Sequence, residues 1–168
     1  NQSQPFIRPD VCAFVEMLAG TPGPTFPEMG PVAGREAMVA MGAQFEKPAR
    51  DIAVVRDLAM PRSGGGRIDL RLFDARASRA AGPVLVYFHG GGFVIGDIAC
   101  YNSVCAELAY RLDLPVVSVE YRLAPESPWP AAPDDCEAAA RWIASSPALL
   151  GLDVTGIVVV GDSAGGNL

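Results

Sequence analysis

The sequence is poor in the residues that most often carry out acid–base chemistry or bind metals. Its 168 residues include one histidine, His89, and one lysine, Lys47. Its four cysteines show neither a paired nor a metal-type spacing: Cys12, Cys100, Cys105 and Cys136. We therefore expect no metal site, and free thiols in a reducing, cytoplasmic compartment.

Long apolar runs and an excess of positive charge are also absent. No hydrophobic stretch is long enough to cross a bilayer and no signal peptide is visible, so we expect no membrane span. The formal net charge of −6 at pH 7 argues against a nucleic-acid or anionic-membrane surface. Half of the residues are hydrophobic, which is enough to bury a sizeable core.

The most informative stretch lies at residues 155–168. Ile157–Val160 is an unbroken apolar run, which predicts a strand buried on both faces in the middle of a parallel sheet. The letters GDSAG follow at once and fit G-x-S-x-G. In this motif the serine occupies a strained turn between a strand and a helix, and the next amide faces a developing oxyanion. Ser163 is therefore the candidate nucleophile, with Ala164 as one oxyanion donor.

A second glycine motif follows the buried run Val84–Phe88 and has the letters HGGGF at residues 89–93. Glycines at the end of a strand let the backbone approach a ligand and aim its amides at it. A dinucleotide fingerprint would need a glycine at Ile95, and a phosphate-binding loop would need Gly-Lys, so no cofactor is expected. The remaining interpretation is an oxyanion hole built from Gly91 and Gly92.

The other titratable residues near these motifs have structural explanations. His89 precedes the serine, whereas the base of a G-x-S-x-G hydrolase follows it, so we expect its ring to brace the glycine loop. Glu126, Asp134 and Asp135 could be catalytic acids, although such residues more often form caps or ion pairs. Asp134 and Glu137 have the spacing of a capping box.

The remaining pattern predicts helices alternating with strands. Two helices, Pro9–Gly20 and Gly34–Glu46, are separated by a proline-rich loop at Thr21–Pro31. They could pack as ordinary core or form a lid over an acyl pocket. Four strands and two further helices are predicted downstream, with a hairpin turn at Gly64–Gly66. The strands are Ile52–Met60, Ile68–Phe73, Val84–Phe88 and Leu114–Glu120, and the helices are Asn102–Leu112 and a last one from Asp134.

The motifs together resemble one enzyme family. HGGGF at 89–93, YRLAPE at 121–126, PAAPDD at 130–135 and GDSAGG at 161–166 have the order and spacing of hormone-sensitive-lipase-like, or bacterial family IV, carboxylesterases. The resemblance covers residues 51–168 in detail and the leading helices in general plan. It implies an α/β-hydrolase core, with a mostly parallel sheet and flanking helices. Residues 1–48 then form part of a helical cap, and 49–168 an incomplete core.

The resemblance also implies hydrolysis of short-to-medium acyl esters, with a small ester as substrate and no cofactor or metal. Carried over by position, the site residues are the nucleophile Ser163, the oxyanion-hole amides of Gly91, Gly92 and Ala164, and the supporting His89 and Gly90. One departure is Ser127, where many relatives have a histidine.

The family's acid and histidine follow the serine in the chain, and the sequence ends at Leu168. We therefore expect a C-terminal remainder of the same protein, as a separate chain or segment, to supply them together with further strands. Residues 1–168 alone are expected neither to fold nor to act. A homodimer is left open, as are a non-catalytic ligand-binding protein on this fold and an inert fragment. A trypsin-like protease is disfavoured because that class is all-β.

Overall fold

A computed structural model describes residues 6–168. Within this range the chain forms four α-helices and five strands, with short 3-10 turns at Ala99–Tyr101 and Ala148–Leu150. In chain order they are α1 (Pro9–Gly20), α2 (Phe26–Phe45), β1 (Val54–Pro61), β2 (Arg67–Asp74), β3 (Ala81–Phe88), α3 (Asn102–Leu112), β4 (Val116–Glu120), α4 (Ala131–Ala144) and β5 (Asp153–Gly161).

The five strands form one sheet in the order β1-β2-β4-β3-β5. The β1–β2 and β2–β4 pairs are antiparallel, whereas β3 pairs in parallel with both β4 and β5. The predicted α/β class and the edge hairpin with its Gly64–Gly66 turn are confirmed, and all three turn glycines have positive φ. The described sheet is mixed rather than mostly parallel, because the hairpin supplies two of its five strands.

The core lies on both faces of the sheet. Alternate residues of β3 point to opposite sides: Val84, Val86 and Phe88 pack on the α4 side, and Leu85 and Tyr87 pack on the α3 side. Small buried residues on α3 and α4 allow both helices to approach the sheet closely. Burial on both faces explains why the central strands are continuous apolar runs.

Helix α2 begins earlier than predicted. Thr25 and Glu28 form a capping box, in which the Thr25 amide donates to the Glu28 carboxylate at 2.8 Å. One helical turn therefore lies inside the stretch predicted to be a loop. Gly30, with φ of 75° and ψ of 175°, breaks the helix before Pro31, and the helix resumes beyond it.

The capping box predicted at Asp134 is wrong. Helix α4 begins at Ala131, and the Asp134 amide already donates to the Pro130 carbonyl oxygen at 3.0 Å within the first turn. Asp134 therefore lies inside the helix, where its charge favours the positive end of the helix dipole.

Strand β5 is less buried than predicted. Within residues 6–168 it pairs only with β3, and Ile157, Val158 and Val159 are 37%, 47% and 53% exposed. The prediction of a strand buried on both faces is therefore wrong for the part of the chain described. Burial of an apolar strand depends on neighbours that its own sequence does not reveal.

The two leading helices contribute little to the core of the sheet. No residue of α1 is buried, and the only buried residue of α2 is Gly34. Their main aromatic contact is an edge-to-face pair between Phe14 and Phe45, with ring centroids 5.6 Å apart. In the part of the chain that the structure describes, no helix has the length and apolarity required to cross a membrane.

Candidate active site

Ser163 lies on a sharp turn directly after β5. Its φ of 50° is in the left-handed region, which is strained for a residue with a Cβ, and its side chain is exposed. The turn is tight because two glycines pack without side chains. A Cβ on Gly165 would clash with the Phe88 carbonyl group, and one on Gly161 with the Gly165 carbonyl group. The local geometry is that of a nucleophile elbow.

The glycine loop lies beside this elbow because β3 and β5 are neighbours with Phe88 opposite Gly161. Gly91 and Gly92 have φ of 126° and 62°, conformations that glycine adopts without steric cost. The Gly91 carbonyl accepts hydrogen bonds from the amides of Val94 and Ile95 at 3.1 and 3.0 Å. Across residues 6–168, no backbone carbonyl accepts from the amides of Gly91, Gly92 or Ala164.

The His89 ring is completely buried under the glycine loop. It stacks on the Tyr121 ring with centroids 4.3 Å apart, and its Nδ1 lies 2.7 Å from the Gly90 carbonyl oxygen. This contact requires Nδ1 to carry the hydrogen. Burial lowers the pKa of His89, which favours the neutral ring. The ring is therefore enclosed rather than presented to a substrate.

Asp162, which no sequence pattern indicated as a site residue, joins the elbow to the glycine loop. Its Oδ1 accepts from the Gly90 amide and the Tyr87 hydroxyl, both at 2.9 Å, and its Oδ2 accepts from the Tyr101 hydroxyl at 3.1 Å. The only sequence signal for this role is its place before the serine. The tyrosines lie far from it in the chain.

Arg35 of α2, which no sequence pattern indicated either, connects the leading helices to the segments that follow the glycine loop and β4. Its guanidinium donates to the carbonyl oxygens of Val94 at 2.8 Å and Ala124 at 3.0 Å. It also forms a bidentate pair with Glu126 at 2.8 and 2.9 Å, and this pair lowers the pKa of Glu126 to about 2. Glu126, considered above as a catalytic acid, is therefore occupied by an ion pair.

Asp135 is likewise held by arginines. Its side chain is 1% exposed and accepts from Arg62 at 3.0 Å and from Arg122 at 2.9 Å through each oxygen. Burial alone raises the pKa of Asp135, but the hydrogen bonds from Arg122 and Arg62 outweigh it and hold that pKa below its usual value. Asp135 thereby ties α4 to the loop that follows β4.

Replacement of Asp135 by asparagine is expected to destabilise the protein by about 3 kcal/mol at neutral pH, because two arginines lose a buried partner. The pKa of Asp135 is lower in the folded state than in the unfolded state. Its stabilising contribution is therefore complete above the unfolded-state pKa of about 4, and it is lost as the pH falls through the folded-state pKa. Urea midpoints at pH 7 and pH 3 should show the variant's deficit shrinking in acid. Glu137→Gln, an exposed acid on the same helix, should change little. An equal deficit at both pH values would contradict this account.

A cavity of about 520 Å³ adjoins the glycine loop. The residues that line it include Gly92, Phe93, Ser127, Trp129 and Leu168. A larger cavity of about 790 Å³ lies between the segment after α2 and helix α3, but none of the site residues named above lines it. Within residues 6–168 no cluster of three or more His, Cys, Asp or Glu side chains could hold a metal ion.

A glycine loop and a strained serine at the carboxyl ends of adjacent parallel strands define an α/β-hydrolase type of site. A family model described as alpha/beta hydrolase fold matches residues 85–168. Esterase LipI of Mycobacterium tuberculosis is 51% identical over 90 residues, covering 54% of this chain and 28% of that protein. Ethyl acetate hydrolase of Pseudomonas putida is 33% identical, covering 96% of this chain and 53% of that protein.

Among solved structures, a hyperthermophilic esterase from the archaeon Pyrobaculum calidifontis superimposes with a TM-score of 0.86 and 38% identity. The alignment covers 96% of this chain and 51% of that chain. The chain belongs to the α/β-hydrolase family, and its resemblance to hormone-sensitive-lipase-like carboxylesterases is confirmed. It spans about half of the length of the relatives that align along nearly all of it.

Proposed function

We propose that this chain supplies the nucleophile and the oxyanion hole of a serine carboxylesterase acting on short-to-medium acyl esters. The observation that carries the proposal is the juxtaposition of an exposed, strained Ser163 with the glycine loop at Gly91 and Gly92. The esterase names of the relatives support the same reaction class. The cavity beside the loop, whose lining includes Phe93 and Trp129 together with Arg122, is large enough for a small ester.

In the proposed mechanism Ser163 Oγ attacks the ester carbonyl carbon while a histidine takes its proton. The amides of Gly91, Gly92 and Ala164 hold the tetrahedral oxyanion, and His89 and Gly90 support that loop. The same histidine protonates the leaving alcohol, and water then hydrolyses the acyl-enzyme. His89 is unsuited to be this base because its ring is buried and stacked.

We further propose that the triad acid and base come from polypeptide outside residues 1–168, a C-terminal remainder present as a segment or a separate chain. Two observations support this. His89 is the only histidine of the chain, and β5 has an unpaired apolar edge within the described residues. A further parallel strand on that edge would cover Val158 and Val159 and remove an aggregation-prone surface.

One labelling experiment tests these proposals together. A fluorophosphonate should modify Ser163 in protein that contains the additional polypeptide, with mass spectrometry locating the adduct on that residue. Residues 1–168 expressed alone should stay unlabelled and inactive on p-nitrophenyl butyrate. Modification of another residue would overturn the nucleophile assignment, and labelled, active 1–168 alone would overturn the partner proposal. Esterase-inactive, unlabelled protein that binds a small ligand would instead favour the non-catalytic alternative.

We also propose that residues 1–48 are part of a cap over the acyl pocket. Four apolar side chains of α1 and α2 are exposed or half-buried within residues 6–168: Phe14, Leu18, Met38 and Met41. Truncating them to alanine should change relative rates on p-nitrophenyl esters from acetate to decanoate. Glu16→Ala, on the opposite face of α1, is the control. Unchanged relative rates in all four variants would contradict the cap proposal.

A further inference from the structure

The Asp162 carboxylate collects three hydrogen bonds from three separate elements. Tyr87 lies near the end of β3, Tyr101 precedes α3, and Gly90 belongs to the glycine loop. All three donors are neutral groups. A carboxylate that accepts hydrogen bonds from several oriented donors is held in one position, because each bond restricts the rotation of the side chain.

The contact between Asp162 and the loop depends on the absence of a side chain at Gly90. A Cβ there would clash with Asp162 Oδ2 and would lie 3.0 Å from the Tyr101 hydroxyl oxygen. The carboxylate therefore packs directly against the loop backbone. Burial, followed by the hydrogen bond to Asp162, raises the pKa of Tyr87, so its hydroxyl stays a neutral donor.

The hydrogen bond between Gly90 and Asp162 joins residues that directly precede the two parts of the candidate site. Asp162 immediately precedes Ser163, and Gly90 immediately precedes Gly91. The 2.9 Å bond from the Gly90 amide to Asp162 therefore joins the residue before the nucleophile to the residue before the oxyanion amides. Movement of either loop relative to the other would stretch this bond.

We propose that Asp162 is a positioning residue that sets the distance between the Ser163 hydroxyl and the oxyanion-hole amides, with Tyr87 and Tyr101 fixing its carboxylate. The proposal rests on the proposed function. It predicts an effect on transition-state stabilisation rather than on substrate binding, because the ground-state ester does not yet carry the oxyanion. The hydrogen bonds of the Asp162 carboxylate go to Gly90, Tyr87 and Tyr101, so it acts on the reaction through the loops that it joins.

The test uses esterase-active protein in which labelling has first located the nucleophile at Ser163. Rates are divided by the number of fluorophosphonate-titrated sites, so that misfolded molecules do not count. Asp162→Ala should lower kcat on p-nitrophenyl butyrate by about 100-fold with KM nearly unchanged, the scale of a small misplacement of reacting groups. Asp162→Asn keeps an acceptor oxygen for Gly90 and should recover much of the loss.

A trifluoromethyl ketone that forms a tetrahedral adduct on the serine provides a second measurement. Its inhibition constant should rise in parallel with the fall in kcat/KM across the variants. Tyr101→Phe and Tyr87→Phe remove one donor each and should give smaller losses of the same kind. Tyr110→Phe, an exposed tyrosine beside Arg50, is the matched control. These milder variants keep the test decisive if Asp162→Ala does not fold.

Two results would overturn the proposal. In the first, Asp162→Ala retains kcat per titrated site within about threefold while only thermal stability falls, which indicates a structural role. In the second, KM rises with kcat unchanged, which indicates a role in ground-state binding. If wild-type protein does not label at Ser163, the proposed function has failed instead.

Discussion

Replacement of Ser163 by alanine is expected to reduce ester hydrolysis by about a million-fold in kcat, the scale seen when a nucleophile that acts with a base is removed. The reason is that no acyl-enzyme can form without the hydroxyl. Rates on p-nitrophenyl butyrate and fluorophosphonate labelling measure the loss. Ser63→Ala, in the exposed hairpin turn, is the matched control and should keep full activity.

Alanine and glycine at residue 163 should differ in stability although both are inactive. Ser163 has φ of 50°, and alanine keeps the Cβ that makes this conformation costly. Glycine relieves the strain, so Ser163→Gly should be more stable than Ser163→Ala by about 1 kcal/mol. Equal stability in urea titrations would contradict the strained-elbow account, and hydrolysis that survives either change would remove Ser163 as the nucleophile.

Replacement of Gly91 by alanine is expected to cost about 3 kcal/mol of transition-state stabilisation, roughly a hundredfold in kcat. A Cβ at Gly91 would clash with the backbone carbonyl group of Ile95, and φ of 126° is closed to alanine. The loop must therefore move, and its amides move with it. Circular dichroism should show that the fold survives.

Gly92 provides a graded comparison in the same loop. Its φ is 62°, but a Cβ would meet no atom within 4 Å. Gly92→Ala therefore faces only the backbone cost of about 1 kcal/mol and should retain more activity than Gly91→Ala. Gly23→Ala, where a Cβ meets nothing and φ is ordinary, is the outside control. If kcat held in Gly91→Ala while only stability fell, the loop would be structural.

The parts of the candidate site that are local in sequence could be predicted from the sequence. The turn at Ser163 requires small residues within two positions, and the glycine loop requires consecutive residues without a Cβ. Both requirements therefore produce short sequence motifs that can be recognised directly. The central strands and the hairpin were predictable for the same reason, since alternation and apolar runs are local patterns. The predicted start of α2 is too late because closely spaced prolines are typical of loops, although proline is also tolerated in a first helical turn.

The contacts between distant segments were decided only by the tertiary structure. Arg35 bonds residues 59 and 89 positions away, and the tyrosine hydroxyls that hold Asp162 come from 61 and 75 positions away. No local sequence pattern indicates such partners. The same charged or phenolic residue appears in the sequence whether its side chain is solvated or hydrogen-bonded to a distant residue. The exposure of Val158 and Val159 has the same origin. An apolar sequence predicts that a strand packs against neighbouring segments. Which edges and faces of that strand are covered is determined only by the packed sheet.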